Sequence, residues 1–90
     1  MYNIPSVQGI KSVTAVSATT FIGRRHIVLV NSGAKTAFLR FNGPLAVVTD
    51  FPLGSGKSVT LDCDLGSEIY SVSAICAGAE VTTIDYLAWN

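Results

Sequence analysis

The segment from residue 24 to residue 61 constrains the fold more than any other part of the chain. It reads RRHIVLVNSGAKTAFLRFNGPLAVVTDFPLGSGKSVTL. Short runs of β-branched and aromatic residues alternate there with clusters of Asn, Gly and Pro, and apolar residues do not recur at the helical spacing. The segment therefore predicts several short strands joined by turns, with no helix.

The same alternation predicts strands over most of the chain, at residues 12–20, 25–31, 36–42, 58–62, 68–75 and 80–89, with a short edge segment at 45–49. The apolar run at residues 27–30 is typical of a central strand covered on both faces. The Asn-Ser-Gly sequence at 31–33 predicts an antiparallel hairpin with the strand that follows. Six to eight short strands at this spacing predict an all-β fold, a small antiparallel β-sandwich or barrel.

Ninety residues are enough for one domain with one thin core. Residues 1–11 contain Pro5 and Gly9 and show no clear period, which predicts an extended N-terminal arm before a single domain of residues 12–90. Such an arm either reaches onto a neighbouring molecule or stays disordered.

The low charge of the chain predicts partners. Charged residues make up 13% of the chain and the mean hydropathy is +0.47, whereas ordinary domains are about 25% charged. A folded chain of this mass exposes roughly 5,000 Å², so each of its charges has about 400 Å² of surface. We expect partners to cover much of that surface and the free protein to be a homo-oligomer, a dimer or trimer. The alternative is that Ser, Thr, Gly and Asn keep a bare surface soluble.

Charge and hydropathy also exclude two classes of partner. The net charge is zero and the only basic cluster is Arg-Arg-His at 24–26, whereas nucleic-acid binding favours a basic stripe. No apolar run approaches the roughly 18–20 residues of a membrane span. The first residues, MYNIPSVQGIK, lack the basic and apolar regions of a secretory signal. We therefore expect no nucleic-acid or membrane partner and folding in the cytosol.

Two motifs resemble ligand sites but favour turns. The Gly-Ser-Gly-Lys-Ser sequence at 54–58 ends like a phosphate loop, yet Phe51 occupies the position of the required Gly and a strand follows in place of a helix. The acidic residues of segment 62–68 could offer oxygens to calcium. There, however, Leu65 stands where a third ligand is needed, and strands flank the loop. We interpret both segments as turns.

The remaining reactive side chains do not predict catalysis. His26 is the only histidine, and beside Arg24 and Arg25 it has no carboxylate or nucleophile nearby in sequence. Cys63 and Cys76 are expected as free thiols, with a bridge left open. Three soft ligands without paired spacing do not predict zinc. We expect no enzyme activity, no cofactor, no metal and no catalytic residue.

Six side chains are candidates for contacts with other molecules. Tyr86 and Trp89 lie near the end of the chain, where aromatic side chains either cap the core or anchor an interface. Arg40 lies two residues after Phe38 in the same predicted strand. We expect it either to form an intersubunit ion pair or to lie solvated along the aromatic surface. The full set of candidate interface residues is Tyr2, Ile4, Arg40, Phe51, Tyr86 and Trp89.

The order of five segments resembles a group of small tailed-phage virion proteins. They read RRHIVLVNSG, TAFLRFNG, DFPLGSGKSVTLD, SEIYSVSA and a last strand ending in YLAW, and they span residues 24–89. In that group an Arg-Arg/His-hydrophobic strand leads to an Asn-x-Gly turn, then to a Pro-Leu-x-x-Gly loop and an (Ile/Leu)-Tyr-x-(Val/Ile)-(Ser/Ala) strand. The shared motif consists of strands and turns, so it transfers no functional residue, and residues 1–20 do not clearly match.

The resemblance implies a β-sandwich accessory protein of a virion that assembles in the host cytoplasm. We expect a decoration or cement protein that binds the major capsid protein, or another virion protein, through apolar interfaces. Two alternatives stay open: a neck or tail accessory protein, and a carbohydrate- or receptor-binding module. The second would use Tyr70, Tyr86 and Trp89 to stack on sugar rings.

Overall fold

Eight β-strands form the described part of the chain, residues 6–64 and 66–90 of a computed structural model. The strands are β1 (Val7–Val13), β2 (Ala18–Arg24), β3 (His26–Asn31), β4 (Ala37–Phe41), β5 (Phe51–Leu53), β6 (Ser58–Asp62), β7 (Ile69–Ile75) and β8 (Thr82–Trp89). None of the described residues lies in a helix, so these ranges contain no helix with the length and apolarity of a membrane span. The predicted all-β class is confirmed.

The strands form two four-stranded antiparallel sheets. Sheet I has the order β1-β8-β3-β6 and sheet II the order β2-β7-β4-β5. Every connection along the chain passes from one sheet to the other, except the one between β4 and β5. The core lies between the sheets and combines residues of both, namely Val13, Ile22, Ile27, Leu29, Ala37, Leu39, Leu53, Ile69, Val72, Cys76, Ile84 and Ala88.

The predicted hairpin after β3 is wrong. The turn at 31–33 exists, but β3 pairs with β6 and β8, while β4 lies in sheet II beside β5 and β7. The chain crosses between sheets here because Leu29 on β3 and Leu39 on β4 are both buried in the core from opposite sides. The expectation that β3 is covered on both faces is also wrong. Ile27 and Leu29 are buried, but Val30 is 37% exposed.

The predicted boundary between arm and domain also needs correction. Residues 7–11 belong to β1, which pairs with β8 from the Val7–Ala88 pair to the Val13–Thr82 pair. Hydrogen bonding to β8 and burial of Val13 hold this segment in the domain. The single strand predicted at 12–20 is split, because residues 14–17 carry the chain from sheet I to sheet II. Residues 1–5 lie outside the described residues.

One local expectation also changes, and two strands are irregular. Residues 45–49 form no strand, and the edge of sheet II is β5. Gly23 lies within β2 at a positive φ of 63°, where the pairing with β7 is irregular. On β7, Tyr70 is exposed and Val72 is buried although they are two residues apart. The alternation of β7 fails beside this irregularity because Asn42 Oδ1 accepts hydrogen bonds from two successive β7 amides.

The side chain of Asn31 holds the turn after β3 and joins the sheets. It is fully buried, and its Nδ2 donates to the carbonyl oxygens of Lys35 at 2.7 Å and Leu53 at 2.8 Å. Its Oδ1 accepts from the Gly33 amide at 3.1 Å and from Thr82 Oγ1 at 2.7 Å. A buried amide with partners for both donors and acceptor is well satisfied. The Asn-x-Gly sequence is therefore a junction of three strands as well as a turn.

Candidate functional site

The outer face of sheet I is exposed and carries an apolar patch. Side chains alternate along a strand, so the residues between the buried positions of β1, β3 and β8 point away from the core. Across the sheet, Val28 lies beside Leu87, and Ile10 and Val30 flank one residue of β8. Ile10 is 72% exposed and Leu87 is 39% exposed. We call this surface the open face, formed by Ile10, Val28, Val30, Leu87 and Trp89.

Polar side chains border the open face, with one acid inside it. Asp85 lies between Ile10 and Val30 in the cross-strand register. Gln8 and Thr60 lie on the outer strands, in register with the row of Leu87 and Val28. An apolar centre with a polar rim is the usual composition of a protein–protein contact.

The outer face of sheet II, in contrast, is partly covered by the chain itself. Residues 42–50, which we call the roof loop, fold back over it, and Ala46 is buried. The Ala46 amide donates to Ser73 Oγ at 2.8 Å, and Ser73 Oγ also lies 2.9 Å from Ser17 Oγ. Ser73 is 1% exposed although it lies on the outer side of β7. The outer face of sheet I is therefore bare, whereas that of sheet II carries a loop of the same chain.

An ion pair closes the roof loop. Arg40 on β4 donates from Nη2 to Asp50 Oδ1 at 2.8 Å, and the Val47 amide donates to Asp50 Oδ2 at 2.8 Å. The Arg40 hydrogen bond, helped by the Val47 amide, lowers the pKa of Asp50 below its usual 3.8. Arg40 is thus not a freely solvated side chain. It holds its own loop in place.

The roof loop places a second apolar surface on the opposite outer side of the molecule. Leu45 is 56% exposed, Val47 45% and Val48 47%. We call these three residues the roof cluster. Phe51 is also exposed, but it pairs with the inward-facing Leu39 and so lies on the inner side of edge strand β5. The loop is anchored at Ala46 and Asp50, so its exposed apolar side chains are presented from a fixed backbone.

His26 has a carboxylate partner that the sequence analysis did not find. His26 Nδ1 lies 2.6 Å from Asp62 Oδ1, because the two residues are opposite each other on β3 and β6. On the other side, the His26 ring stacks on Trp89 at 5.5 Å between ring centroids. Among the described contacts of His26 no hydroxyl or thiol reaches the ring. The pair fixes the imidazole and Trp89 at one end of the open face, without an activated nucleophile.

The two cysteines lie at opposite ends of the sandwich. The Cys63 amide bonds to the Arg25 carbonyl, beside the end of sheet I where β3 begins, whereas Cys76 Sγ lies 3.5 Å from the Val13 carbonyl. Val13 pairs with Thr82 at the far end of β8. A strand of this length spans about 20 Å, too far for a disulfide. Both thiols are free, and burial raises the pKa of Cys76.

Two other features hold little chemistry. A narrow cavity of about 60 Å³ lies between the sheets, lined by core side chains that include Leu29, Leu39 and Val72. It is smaller than the roughly 150 Å³ cavity that admits benzene. Among the described residues, no group of three or more His, Cys, Asp or Glu side chains could hold a metal ion.

The six candidate interface residues are dispersed. Trp89 joins the open face, Phe51 is exposed at the inner side of edge strand β5, and Arg40 pairs with Asp50 of its own chain. Tyr86 points inward, packs against the core and leaves no room for a side chain at position 9, where Gly9 stands. Tyr2 and Ile4 lie outside the described residues. Tyr86 therefore caps the core, and the structure does not gather these residues into one surface.

The centre of the open face is not visible in the sequence. Ile10, Val30 and Leu87 become neighbours only through the strand order β1-β8-β3. Ile10 was placed in an arm, and Val30 in a strand covered on both sides. The available signal was the alternation of Leu87 with the inward residues of β8, which identifies an apolar residue on an outer face.

The chain resembles a known structure in fold. No protein-family model matches the chain, and no curated protein matches it. The chain is similar to the plu4264 protein from Photorhabdus luminescens, with a TM-score of 0.63 and 12% sequence identity. The match covers 99% of this chain and 66% of that protein, so the chain spans less than two thirds of that protein's length. At this identity the similarity shows the fold alone.

Proposed function

We propose that this chain is a structural component of a tailed-phage virion, a decoration or cement protein that binds the major capsid protein. Two observations on the sequence support the proposal: the resemblance of segments across residues 24–89 to small virion proteins, and a charge content of 13%. A surface this poor in charge favours a protein that works while covered by others.

The observation that carries the proposal is the presence of apolar surfaces on both outer sides of the sandwich. The open face lies on sheet I, and the roof cluster lies over sheet II. A cement protein has to contact two neighbouring subunits at once, and surfaces that point in opposite directions suit that task. Exposed apolar patches of this kind mark interaction sites.

The size of the open face favours a repeated site over a single one. Four strands about 4.8 Å apart and five to eight residues long give an area of roughly 400 Å². Only part of this area is apolar, so burying it contributes less than about 10 kcal/mol before association costs of several kcal/mol or more. Standard interfaces bury about 800 Å² per partner, so a single contact through the open face binds weakly. Several such contacts on a symmetric shell, made by a dimer or trimer of this chain, strengthen binding through avidity.

A binding role also suits the chemistry of the polar groups. The His26–Asp62 pair is the nearest arrangement to acid–base machinery, and Trp89 covers the other side of its ring. Acyl-transfer chemistry would need a nucleophile within hydrogen-bond reach of that ring. We therefore infer a role without catalysis, cofactor or metal.

The carbohydrate alternative, in the form that the sequence suggested, needs three aromatic rings in one groove, and the three rings lie apart. Tyr86 points into the core, Trp89 lies on the open face of sheet I, and Tyr70 is exposed on sheet II. These three rings cannot stack on one sugar chain. A neck or tail position remains a variant of the proposal, with the same surfaces and another symmetry.

Quantitative mass spectrometry of purified virus particles tests the proposal. We expect this chain at a copy number near that of the shell protein. A few copies per particle would move the protein to the neck or tail, and absence from washed particles would overturn the virion role. Sedimentation of the free protein at tens of micromolar should give a dimer or trimer. A monomer would contradict the proposed self-association.

A further inference from the structure

A polar cleft at one end of the sandwich is separate from both apolar surfaces. It is a cleft largely open to solvent, lined by Arg25, Asn42, Gly66, Ser67, Glu68, Tyr70 and Asn90. Its side chains come from the ends of β2–β3, β4, β7 and β8, which meet where the strands of both sheets terminate.

An aromatic ring forms one wall of the cleft. Tyr70 is 59% exposed, and its ring meets Phe21 edge-to-face at 5.9 Å between centroids. Phe21, itself 68% exposed, supports Tyr70 from the β2 side. An exposed aromatic ring held by a second one offers a flat apolar platform beside polar groups.

Asn42 fixes the backbone that carries this wall. It has a φ of 55°, in the left-handed region that Asn tolerates better than most residues. Its Oδ1 accepts from the amides of Tyr70 and Ser71, and its Nδ2 donates to the Glu68 carbonyl at 3.1 Å. A single side chain from β4 therefore orders the start of β7, so the Tyr70 ring and the Glu68 carboxylate are presented together.

The charged groups of the cleft are not paired with each other. The ion pairs among the described residues join His26 to Asp62, Lys35 to Glu80 and Arg40 to Asp50. Arg25 and Glu68 are absent from that set, so neither charge is neutralised by the other.

We infer that this cleft binds a saccharide, with Tyr70 stacking on the face of a sugar ring. A hydroxyl group both donates and accepts, so a sugar can donate to Glu68 and accept from Arg25. An inorganic anion would be repelled by the carboxylate, and a simple cation by the guanidinium. Planar polar side chains beside one aromatic ring match the alternating apolar face and hydroxyl edge of a pyranose. The inference does not depend on the virion role.

The test is binding of the full-length chain to a printed array of hexose, hexosamine and uronic-acid oligosaccharides, followed by titration calorimetry with the best glycan. We expect saturable binding that weakens about tenfold in Tyr70→Ala, because the ring platform is lost. Tyr70→Phe keeps the ring and should bind within about threefold of the wild type. Glu68→Gln should also weaken binding, since it removes a charged acceptor.

Matched controls separate binding from folding. Phe51→Ala removes an aromatic ring of similar exposure from edge strand β5, away from the cleft, and it should leave the titration unchanged. Each variant must show the wild-type thermal unfolding transition. Saturable binding that is lost in Tyr70→Ala and kept in Phe51→Ala supports the site. Absence of saturable binding to any arrayed glycan, or equal binding by Tyr70→Ala and the wild type, overturns it. Neither result bears on whether the chain is found in virus particles.

Discussion

The side-chain amide of Asn31 on β3 donates a 2.8 Å hydrogen bond to the backbone carbonyl of Leu53 on β5. The bond joins sheet I to sheet II at a position where Asn31 is fully buried. Most contacts between the sheets are apolar and non-directional, so this polar contact fixes their relative placement. It also explains why the chain crosses to the other sheet after β3.

Replacing Asn31 with Ala should destabilise the protein by about 2–4 kcal/mol. The change leaves the carbonyls of Lys35 and Leu53 and the hydroxyl of Thr82 without their hydrogen-bond partner. Each unsatisfied buried group costs about 1–3 kcal/mol. Urea unfolding followed by circular dichroism measures the loss. Ser32→Ala, in the exposed middle of the same turn, is the control and should change the free energy of unfolding by less than about 0.5 kcal/mol.

Gly33 should not tolerate even a methyl group. A Cβ atom at this position would lie 2.1 Å from Thr82 Oγ1 and 2.6 Å from the Thr83 amide nitrogen. Gly33→Ala therefore has to displace the β8 backbone, and we expect a loss of about 2 kcal/mol or more. Gly54→Ala is the matched control, because the nearest side-chain atom is at an ordinary 3.6 Å. Equal thermal stability of the two variants would refute this packing.

The roof loop should open at low pH. The pKa of Asp50 is lowered in the folded state, mainly by the Arg40 hydrogen bond, so its stabilising effect is complete above the unfolded value near 3.9. That effect is lost as the pH falls through the lower folded value. The stability difference between wild type and Asp50→Asn should therefore shrink as the pH is lowered from 5 to 2. A constant difference across that range, measured by thermal unfolding, would show that Asp50 does not act through its charge.

The two thiols should react at very different rates. Cys63 is half-buried, whereas Cys76 is 1% exposed and burial raises its pKa, which lowers the thiolate fraction that reacts. Maleimide should label one thiol of the native protein quickly, and the second only on unfolding. Mass spectrometry of wild type and Cys63→Ser identifies the fast site. Rapid labelling of the Cys63→Ser protein would contradict the burial of Cys76.

Local alternation was enough to predict the class of fold and several strands. In Ser58–Asp62 the partly buried Val59 and Leu61 alternate with exposed residues, as the sequence predicted. β4 also behaves as expected, with Ala37 and Leu39 turned to the core. Such strands are readable because the period of two is a local property.

Strand order was not readable, because it depends on contacts between distant residues. The Asn-Ser-Gly turn at 31–33 looked like a hairpin, yet the buried Asn31 amide needed partners on β5 and β8 and directed the chain across the core. The same limit hid the His26–Asp62 pair, which requires the register of β3 with β6. It also hid the open face, which needs β1, β8 and β3 side by side.

Co-sedimentation of the purified chain with shells of its own virus that lack it tests the central claim most directly. The wild type should saturate the shells. Leu87→Lys, which places a charge at the centre of the open face, should bind at least about tenfold more weakly. Val81→Lys, at a residue 54% exposed outside both apolar surfaces, should bind as the wild type does. Undiminished binding by Leu87→Lys, or no binding by the wild type, would contradict the assignment of the open face as the contact surface.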